Sequence, residues 1–145
     1  MRAVVQRVSQ ARVDVAQKTV SEIGPGLVVL ICAMDNETPD VSNWASRLCR
    51  LRVFSDEAGK MNKSLLDTGG SLLLVSQFTL SADMKKGLRP SFGRASNPTL
   101  AEPQLEALAQ SCKDLGVHTQ TGAFGADMAV HLTNDGPVTI WIDKP

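Results

Sequence analysis

Two short segments carry most of the residue types in this chain that could form a binding or reaction site. The first, Ser76 to Leu80 (Ser-Gln-Phe-Thr-Leu), follows the apolar, strand-like run Ser71 to Val75. The second, Asn134 to Thr139 (Asn-Asp-Gly-Pro-Val-Thr), leads into the apolar run Val138 to Ile142. Hydroxyl, amide and backbone-special residues thus stand where predicted strands end or begin, and such positions commonly carry sites.

The most informative dipeptide is Gly136-Pro137. Another molecule can approach the backbone of a glycine closely because glycine has no side chain. Proline lacks an N–H, fixes its own φ and makes a cis peptide bond accessible. The pair can therefore aim carbonyl oxygens at a ligand without a competing donor from Pro137. The alternative is an ordinary turn that starts the next strand, and the dipeptide alone leaves both interpretations open.

The remaining candidate side chains do not indicate metal or cofactor chemistry. His118 and His131 fall in strand-like segments without a serine, cysteine or carboxylate arranged around them, so we expect structural roles. The three cysteines are widely spaced, and no His/Cys/Asp cluster has metal-ligand spacing. Cys32 and Cys112 lie in apolar patterns and are expected to be small core residues. We therefore predict no metal and no cofactor.

One stretch combines positive charge, glycine and an aromatic ring, from Met84 to Arg94. Its four positive charges follow the first candidate segment and suit contacts with nucleic-acid phosphates, although a solvated surface is an equal alternative. The rings of Phe78, Phe92 and Phe124 could stack on an unpaired base. For each ring taken singly, packing in the core is the simpler expectation.

Hydrophobic periodicity predicts the elements that position these residues. The first third alternates apolar and polar residues, as half-buried strands do, with a turn at Gly24-Pro25-Gly26. The wholly apolar run Leu27 to Ala33 predicts a strand buried on both faces. Helices are expected to open at Thr38-Pro39 and at Thr99, where Thr99 and Glu102 have capping-box spacing. A central strand from Ser71 to Leu80 lies between them, and strands at about 117–121, 128–133 and 138–142 complete the chain.

Length and composition bound the class of protein. A chain of 145 residues can bury a single core, so we expect one domain spanning residues 1–145. A net charge of zero argues against indiscriminate coating of nucleic acid, although it permits a local basic patch. The first residues do not form the apolar stretch of a signal peptide, and no apolar run reaches the ~18–20 residues of a membrane helix. The odd number of widely spaced cysteines predicts a cytoplasmic protein with buried thiols. The pattern of strands and helices predicts an α/β fold with mixed, largely antiparallel sheets.

Six ordered landmarks resemble those of the D-aminoacyl-tRNA deacylases, enzymes that hydrolyse D-amino acids from tRNA. Two of them are the candidate segments described above. The others are Met1 to Val8; Phe54-Ser55-Asp56 with Gly59-Lys60-Met61-Asn62; Arg89-Pro90-Ser91-Phe92; and Thr119-Gln120-Thr121-Gly122 with Phe124 and Ala126-Asp127-Met128. The resemblance covers essentially the whole chain and shows no departure at the positions of the family's proposed chemistry.

This resemblance implies a homodimer of single α/β domains, each in three layers, with two helices on one sheet and a second sheet behind. It implies hydrolysis of the ester of a D-aminoacyl-tRNA, with tRNA as the partner molecule. The implied site residues are Ser76, Gln77, Phe78 and Thr79 for catalysis, and Gly136, Pro137, Phe124, Met128 and Arg7 for substrate binding. In the family the Gly-Pro bond is cis and enters the partner subunit's pocket. Arg7 would brace it, or would otherwise be an ordinary solvent-facing arginine.

A rigid backbone wall at Gly136-Pro137 would also explain chiral selection. Beside the substrate's α-carbon, such a wall leaves room for a hydrogen atom but not for a side chain. L-amino acids would then be rejected by a clash, whatever their type, whereas D-amino acids would be accepted. Glycine has no side chain to exclude, so glycyl-tRNA, including alanine tRNA mischarged with glycine, is expected to be hydrolysed.

The role of Thr79 follows from the lack of a visible base. A threonine hydroxyl is a poor nucleophile unless a neighbouring base activates it. We therefore expect Thr79 to orient the substrate or a water molecule, while the ribose 2′-hydroxyl of the terminal adenosine helps to activate water. Two other classes remain open from the sequence. One is a non-catalytic nucleic-acid-binding protein on the same fold, and the other is a different small esterase.

Overall fold

A computed structural model describes residues 1–143, in which six strands form one mixed sheet and three helices and a short hairpin complete the fold. The sheet strands are β1 (Arg2–Val15), β2 (Lys18–Ile23), β3 (Gly26–Cys32), β6 (Ser71–Ser76), β7 (Thr119–Thr121) and β8 (Ala129–Asp143). The hairpin is β4 (Phe54–Ser55) with β5 (Met61–Lys63), and the helices are α1 (Val41–Cys49), α2 (Leu65–Thr68) and α3 (Pro98–Asp114). A 3₁₀ turn spans Phe78–Ser81. This confirms the predicted α/β class and mixed sheet.

Three neighbouring strands run parallel and place their carboxyl ends at one edge of the sheet. The order is β2-β1-β3-β6-β7, and β8 pairs with the other side of β1. Strand β3 pairs with β6, and β6 with β7, in parallel. The pairs that β1 makes with β2, β3 and β8 are antiparallel. Gly26, at the start of β3, pairs with Ser71 so closely that an added Cβ would lie 1.9 Å from the Ser71 carbonyl oxygen. Glycine is therefore required where these two parallel strands begin.

The long strand β1 crosses between two hydrophobic clusters and curls the sheet. Its first half contributes Ala3 and Val5 to the cluster under the helices. Its second half contributes Val8, Ala11 and Val13 to a second cluster on the opposite side of β3 and β6. The register of β1 with β8 shifts between these halves, and such bulges bend a strand. The result is one continuous sheet that is nearly barrel-shaped, so the three-layer arrangement stays a prediction.

Both long helices pack on one face of the sheet, as the resemblance implies. Leu48 of α1 and Leu108 of α3 are fully buried in the same cluster as Leu27, Ile31 and Leu72. The strand β3 is buried on both faces, because Val28 joins the second cluster while its neighbours join the first. Within the described chain, no helix is long and apolar enough to cross a membrane.

The predicted helix starts are wrong by two or three residues for the first helix and by one residue for the other. Helix α1 begins at Val41, not at Thr38-Pro39, because the Asp40 carboxylate accepts the Asn43 N–H at 2.9 Å and caps the helix. Helix α3 begins at Pro98, because Asn97 Oδ1 accepts the Thr99 N–H at 3.0 Å. Asparagine is as good an N-cap as a hydroxyl residue, and proline suits the first helical position.

The predicted strands differ from the structure mainly in the candidate segments. The central strand ends at Ser76 rather than Leu80, because the chain turns into the 3₁₀ turn. The last two predicted strands form the single strand β8, which runs through Gly136 and Pro137. The predicted strand at 117–121 is shorter, because β7 begins only at Thr119.

Candidate functional site

The main cleft opens at the carboxyl ends of the three parallel strands, where α/β sheets commonly place their sites. It has a volume of about 720 Å³. Its walls come from the ends of β3 and β6, the start of α3, and the loop between β7 and β8. The predicted site residues that line it are Ser76, Gln77, Phe78, Phe124 and Met128. The structure therefore brings together the first candidate segment and two of the predicted substrate contacts.

The segment after β6 is held in a fixed turn at the edge of the cleft. The Gln77 N–H donates to the Ile31 carbonyl oxygen at 2.7 Å, which continues the β3–β6 pairing by one residue. The Gln77 side-chain amide donates to Thr79 Oγ1, so the two predicted polar groups act as one unit. The N–H groups of Phe78 and Thr79 open the 3₁₀ turn, and the first N–H groups of a helix have no acceptor within it. They are available as donors to a substrate oxygen.

Two aromatic rings form a contact at the mouth of the cleft. Phe78 and Phe92 meet edge to face, with ring centroids 5.2 Å apart and an interplanar angle of 77°. Phe78 is 59% exposed, so the expectation of core packing is wrong for this ring. Phe92 and Phe124 are half-buried and line the cleft, and Phe124 also packs against the core. An exposed phenylalanine beside a polar turn leaves a flat apolar surface for a ligand.

The cleft offers little conventional acid–base chemistry. Among its lining residues in the described chain, the ionisable side chains are Asp127 and Cys32. Burial raises the pKa of the Cys32 thiol, which therefore remains protonated and is a poor nucleophile. Asp127 is exposed at the rim, and sequence reasoning gave it no chemical role although it lies next to Met128. No cluster of three or more His, Cys, Asp or Glu in residues 1–143 is arranged to hold a metal.

Both histidines lie outside the cleft lining. His118 Nε2 is 3.4 Å from the Gln120 side-chain amide nitrogen. His131 Nε2 is 3.1 Å from Asp14 Oδ2, which also accepts from Arg12. The expectation that no carboxylate surrounds His131 is therefore wrong, because strand pairing brings Asp14 to it from far along the sequence. Since none of these three side chains lines the cleft, the structural role predicted for His131 still fits.

The second candidate segment is built around Gly136 and Arg7. The Gly136–Pro137 peptide bond is cis. Gly136 has φ +136°, and a Cβ added to it would lie 2.9 Å from Arg7 Nη2. Arg7 donates from Nε to the Asp135 carbonyl oxygen at 2.9 Å and from Nη1 to the Val53 carbonyl oxygen at 2.6 Å. Its side chain is only 13% exposed, so Arg7 is not an ordinary solvent-facing arginine.

The Gly-Pro segment does not reach the cleft of its own chain. Gly136 lies six residues beyond Val130, which lines the cleft, along the same strand β8. At ~3.3 Å per residue, this separation is roughly 20 Å. Thr79, Arg7, Gly136 and Pro137 are absent from the described lining of the cleft, although Thr79 is tied to it through Gln77. The two candidate segments are thus separate within one chain.

The basic stretch forms a loop that projects from the rim of the cleft. Asp83 and Ser91 close its base through reciprocal backbone hydrogen bonds of 2.8 and 2.9 Å. Phe92, immediately after this base, lines the cleft. Lys85, Lys86 and Arg89 are all exposed on the loop between. Positive charge therefore stands in solvent beside the cleft opening.

Comparison with known proteins identifies the family. Residues 4–143 match the family model described as D-Tyr-tRNA(Tyr) deacylase. A D-aminoacyl-tRNA deacylase of Jannaschia sp. is 53% identical over 144 residues, covering 99% of this chain and 98% of the relative. One of Cereibacter sphaeroides is 52% identical over 145 residues, covering 99% of this chain and all of the relative. The resemblance inferred from the sequence landmarks is confirmed.

Solved structures share the whole fold. One titled "c-Myc DNA Unwinding Element Binding Protein" superposes with a TM-score of 0.92 at 38% identity, covering 100% of this chain and 99% of that one. Another, titled as a probable eukaryotic D-amino acid tRNA deacylase, has a TM-score of 0.84 at 16% identity and covers 97% of each chain, which supports the fold alone. Sequence landmarks, family model and full-length relatives agree, and the chain belongs to the D-Tyr-tRNA(Tyr) deacylase family.

Proposed function

We propose that this protein hydrolyses the ester bond of D-aminoacyl-tRNA and releases free D-amino acid and tRNA. The observation that carries the proposal is the cleft bordered by the Ser76–Thr79 segment in a chain that matches deacylases over its full length. The test is amino-acid release from D-Tyr-tRNA and L-Tyr-tRNA by the purified protein. Release from the D-form alone supports the proposal, and equal release from both, or from neither, contradicts it.

The two rival classes fit the site less well. A non-catalytic nucleic-acid-binding protein would use the basic loop, and one solved relative is named for DNA binding. A non-catalytic function, however, gives no role to the Phe78–Ser81 turn and its N–H donors. A different small esterase with a serine-type relay would need a histidine at the cleft, and both histidines lie outside its lining.

The proposed chemistry is positioning plus electrostatic stabilisation. The N–H groups of Phe78 and Thr79, at the start of the 3₁₀ turn, would stabilise the oxyanion of the tetrahedral intermediate. Thr79 Oγ1, held by the Gln77 amide, would orient the substrate or the attacking water. The ribose 2′-hydroxyl of the substrate would assist the water, because the cleft supplies no histidine or activated thiol for this step.

Chiral selection would come from Gly136-Pro137 of a second subunit. The segment is absent from the described lining of the cleft of its own chain, so it would serve the cleft of a partner in a homodimer. Arg7 would brace it through its bond to the Asp135 carbonyl. Carbonyl oxygens placed beside the α-carbon would exclude an L side chain and admit hydrogen, so glycine on mischarged alanine tRNA would also be hydrolysed.

Binding of the tRNA end would use the surface around the cleft mouth. Lys85, Lys86 and Arg89 would contact acceptor-stem phosphates. Phe78, Phe124 and Met128 would contact the terminal adenosine, whose exposed base can stack on an aromatic ring. A cytoplasmic location fits a tRNA substrate and three buried, unpaired thiols.

The orienting role of Thr79 predicts a partial defect. Thr79→Ala removes the hydroxyl but leaves the backbone donors, so we expect kcat on D-Tyr-tRNA to fall between about 10-fold and 1,000-fold without being abolished. Single-turnover kinetics would measure this fall, with circular dichroism as a check of folding. Rapid quenching of wild-type protein should yield no aminoacyl-threonine, and a trapped covalent adduct at Thr79 would show that the hydroxyl attacks.

The trans arrangement predicts a dimer with shared sites. Sedimentation equilibrium should give about twice the 15.5 kDa mass of one chain. Gly136→Val should inactivate a homodimer, because even a Cβ at this position meets Arg7 and Val138 at under 3.0 Å. In heterodimers of Thr79→Ala and Gly136→Val chains, one site then combines the intact cleft with the intact wall. Half of wild-type activity is expected; a fully active monomer, or no recovery in proven heterodimers, would contradict the arrangement.

A further inference from the structure

The 3₁₀ turn Phe78–Ser81 cannot hold its conformation by itself. It has four residues, and backbone bonds join the Leu80 N–H to the Gln77 carbonyl oxygen and the Ala82 N–H to the Thr79 carbonyl oxygen. Isolated turns of this length are marginal in water, because few hydrogen bonds offset the ordering of the backbone. The placement of the Phe78 and Thr79 N–H groups therefore depends on contacts with the rest of the fold.

One charged side chain supplies such a contact at the carboxyl end of the turn. Arg2 Nη1 donates to the Leu80 carbonyl oxygen at 3.2 Å, across 78 residues of sequence. The last carbonyl oxygens of a helix have no N–H donor within it, and a cation there is favourable. The start of the turn is held by Gln77, whose N–H donates to Ile31 and whose side-chain amide donates to Thr79. Two longer contacts reach the turn elsewhere: Cys32 Sγ lies 3.6 Å from the Phe78 carbonyl oxygen, and the Ser81 hydroxyl donates to the Phe92 carbonyl oxygen at 3.4 Å.

The Arg2 guanidinium is itself held by two residues outside the turn. Its Nε lies 3.3 Å from Asp143 Oδ2, and its Cζ lies 5.9 Å from the centre of the Trp141 ring. The side chain is only 14% exposed. Both partners lie near the end of β8, which pairs with Arg2 in the sheet. An arginine held by a carboxylate and an aromatic ring has little freedom left to lose when it binds a carbonyl.

We propose that Arg2 is a positioning residue for the reaction, which holds the Phe78–Ser81 turn against the end of β8 so that its N–H groups face the substrate oxygen. Arg2 does not line the cleft, so it acts through the turn. The kinetic part of this proposal rests on the proposed function, whereas the structural part does not. Loss of Arg2 would loosen the turn and raise the barrier of the chemical step, with little effect on binding of the tRNA body.

The test compares Arg2→Gln, Arg2→Lys and the matched control Arg12→Gln. Arg12 lies on the same strand and makes a similar pair, from Nε to Asp14 Oδ2 at 3.1 Å, but among the described residues neither member lines the cleft or hydrogen-bonds to the Phe78–Ser81 turn. For Arg2→Gln we expect kcat on D-Tyr-tRNA to fall about tenfold with KM within about twofold. Arg2→Lys, which keeps the charge but can reach only one acceptor, should recover part of that loss. Arg12→Gln should match wild type.

Hydrogen exchange without substrate gives a readout that does not depend on activity. Arg2→Gln should speed exchange of a peptide covering residues 77–82, whereas Arg12→Gln should not. If the wild-type protein releases no D-amino acid but this exchange pattern holds, the proposed function fails and the holding role of Arg2 stands. Unchanged exchange of residues 77–82 in Arg2→Gln would overturn the proposal. It would also be overturned if Arg2→Gln and Arg2→Lys lowered kcat equally and raised KM by a matching factor.

Discussion

A D-Tyr-tRNA that ends in 2′-deoxyadenosine is expected to bind the protein normally and to be hydrolysed at least about 100-fold more slowly than the natural substrate. The reason lies in the cleft, where Asp127 and Cys32 are the ionisable lining residues. Burial raises the pKa of Cys32, so this thiol does not act as a base. The hydroxyl next to the ester is then the group best placed to assist the attacking water.

The measurement must separate enzymatic from spontaneous loss, because the 2′-hydroxyl also affects the ester's stability in water. Single-turnover rates should therefore be divided by the uncatalysed rate of the same substrate. Competition against D-Tyr-tRNA would show that the deoxy substrate occupies the site. If the enzyme accelerates hydrolysis of the deoxy substrate as much as that of the natural one, a protein group must assist the attacking water. The exposed Asp127 carboxylate at the rim of the cleft would then be the first candidate. Asp127→Asn would then stop hydrolysis of the deoxy substrate.

Local sequence was sufficient to predict that Ser76, Gln77 and Phe78 lie at the cleft. Ser76 to Thr79 follow an apolar strand directly, so the end of that strand placed them at the sheet edge. Phe78 was misjudged because an aromatic ring is usually buried, whereas here the chain leaves the strand and turns the ring outward against Phe92. The local signal for a turn was weak, since no glycine or proline interrupts the segment.

The continuity of β8 through Gly136 and Pro137 could not be predicted, because it depends on a side chain and on the sheet edge. Asn134 Oδ1 accepts the Val138 N–H at 2.9 Å and so carries the strand past the dipeptide. Within the described sheet β8 pairs with β1 alone, and a proline is tolerated on such an edge strand. The break that glycine and proline indicated is present as a bulge, since β1 pairs with Asn134 and then with Thr139, but the asparagine bond keeps the chain in one strand.

The role of Arg7 was hidden because its partners are distant in sequence. Its guanidinium bonds to the carbonyls of Val53 and Asp135, which are 46 and 128 residues away. An alternating strand shows which residues share a face but not which loop covers that face. The same limit applies to Arg2 and Leu80 and to His131 and Asp14, whose contacts arise only when the sheet curls.

A comparison of glycine, D-alanine and L-alanine on tRNA tests how the wall discriminates. If backbone atoms of Gly136-Pro137 reject a side chain by overlap, Gly-tRNA and D-Ala-tRNA should be hydrolysed at rates within about tenfold of each other. L-Ala-tRNA should be roughly 100-fold slower or worse, because fitting one methyl group against a rigid wall costs up to ~3 kcal/mol. Release of each amino acid should be measured at equal tRNA concentration, with binding checked by competition.

Arg7 offers a control on the rigidity that exclusion requires. Its two bonds to backbone carbonyls fix the segment next to Gly136, so Arg7→Gln should soften the wall. Release of L-alanine should then rise relative to D-alanine, even if both absolute rates fall. This shift would distinguish steric exclusion of the L side chain from a pocket that binds the D side chain. In a pocket of the second kind, the substitution would lower D-alanine release alone. If glycine resists as strongly as L-alanine in the wild-type protein, the side chain is being recognised positively, and exclusion by Gly136-Pro137 is the wrong mechanism.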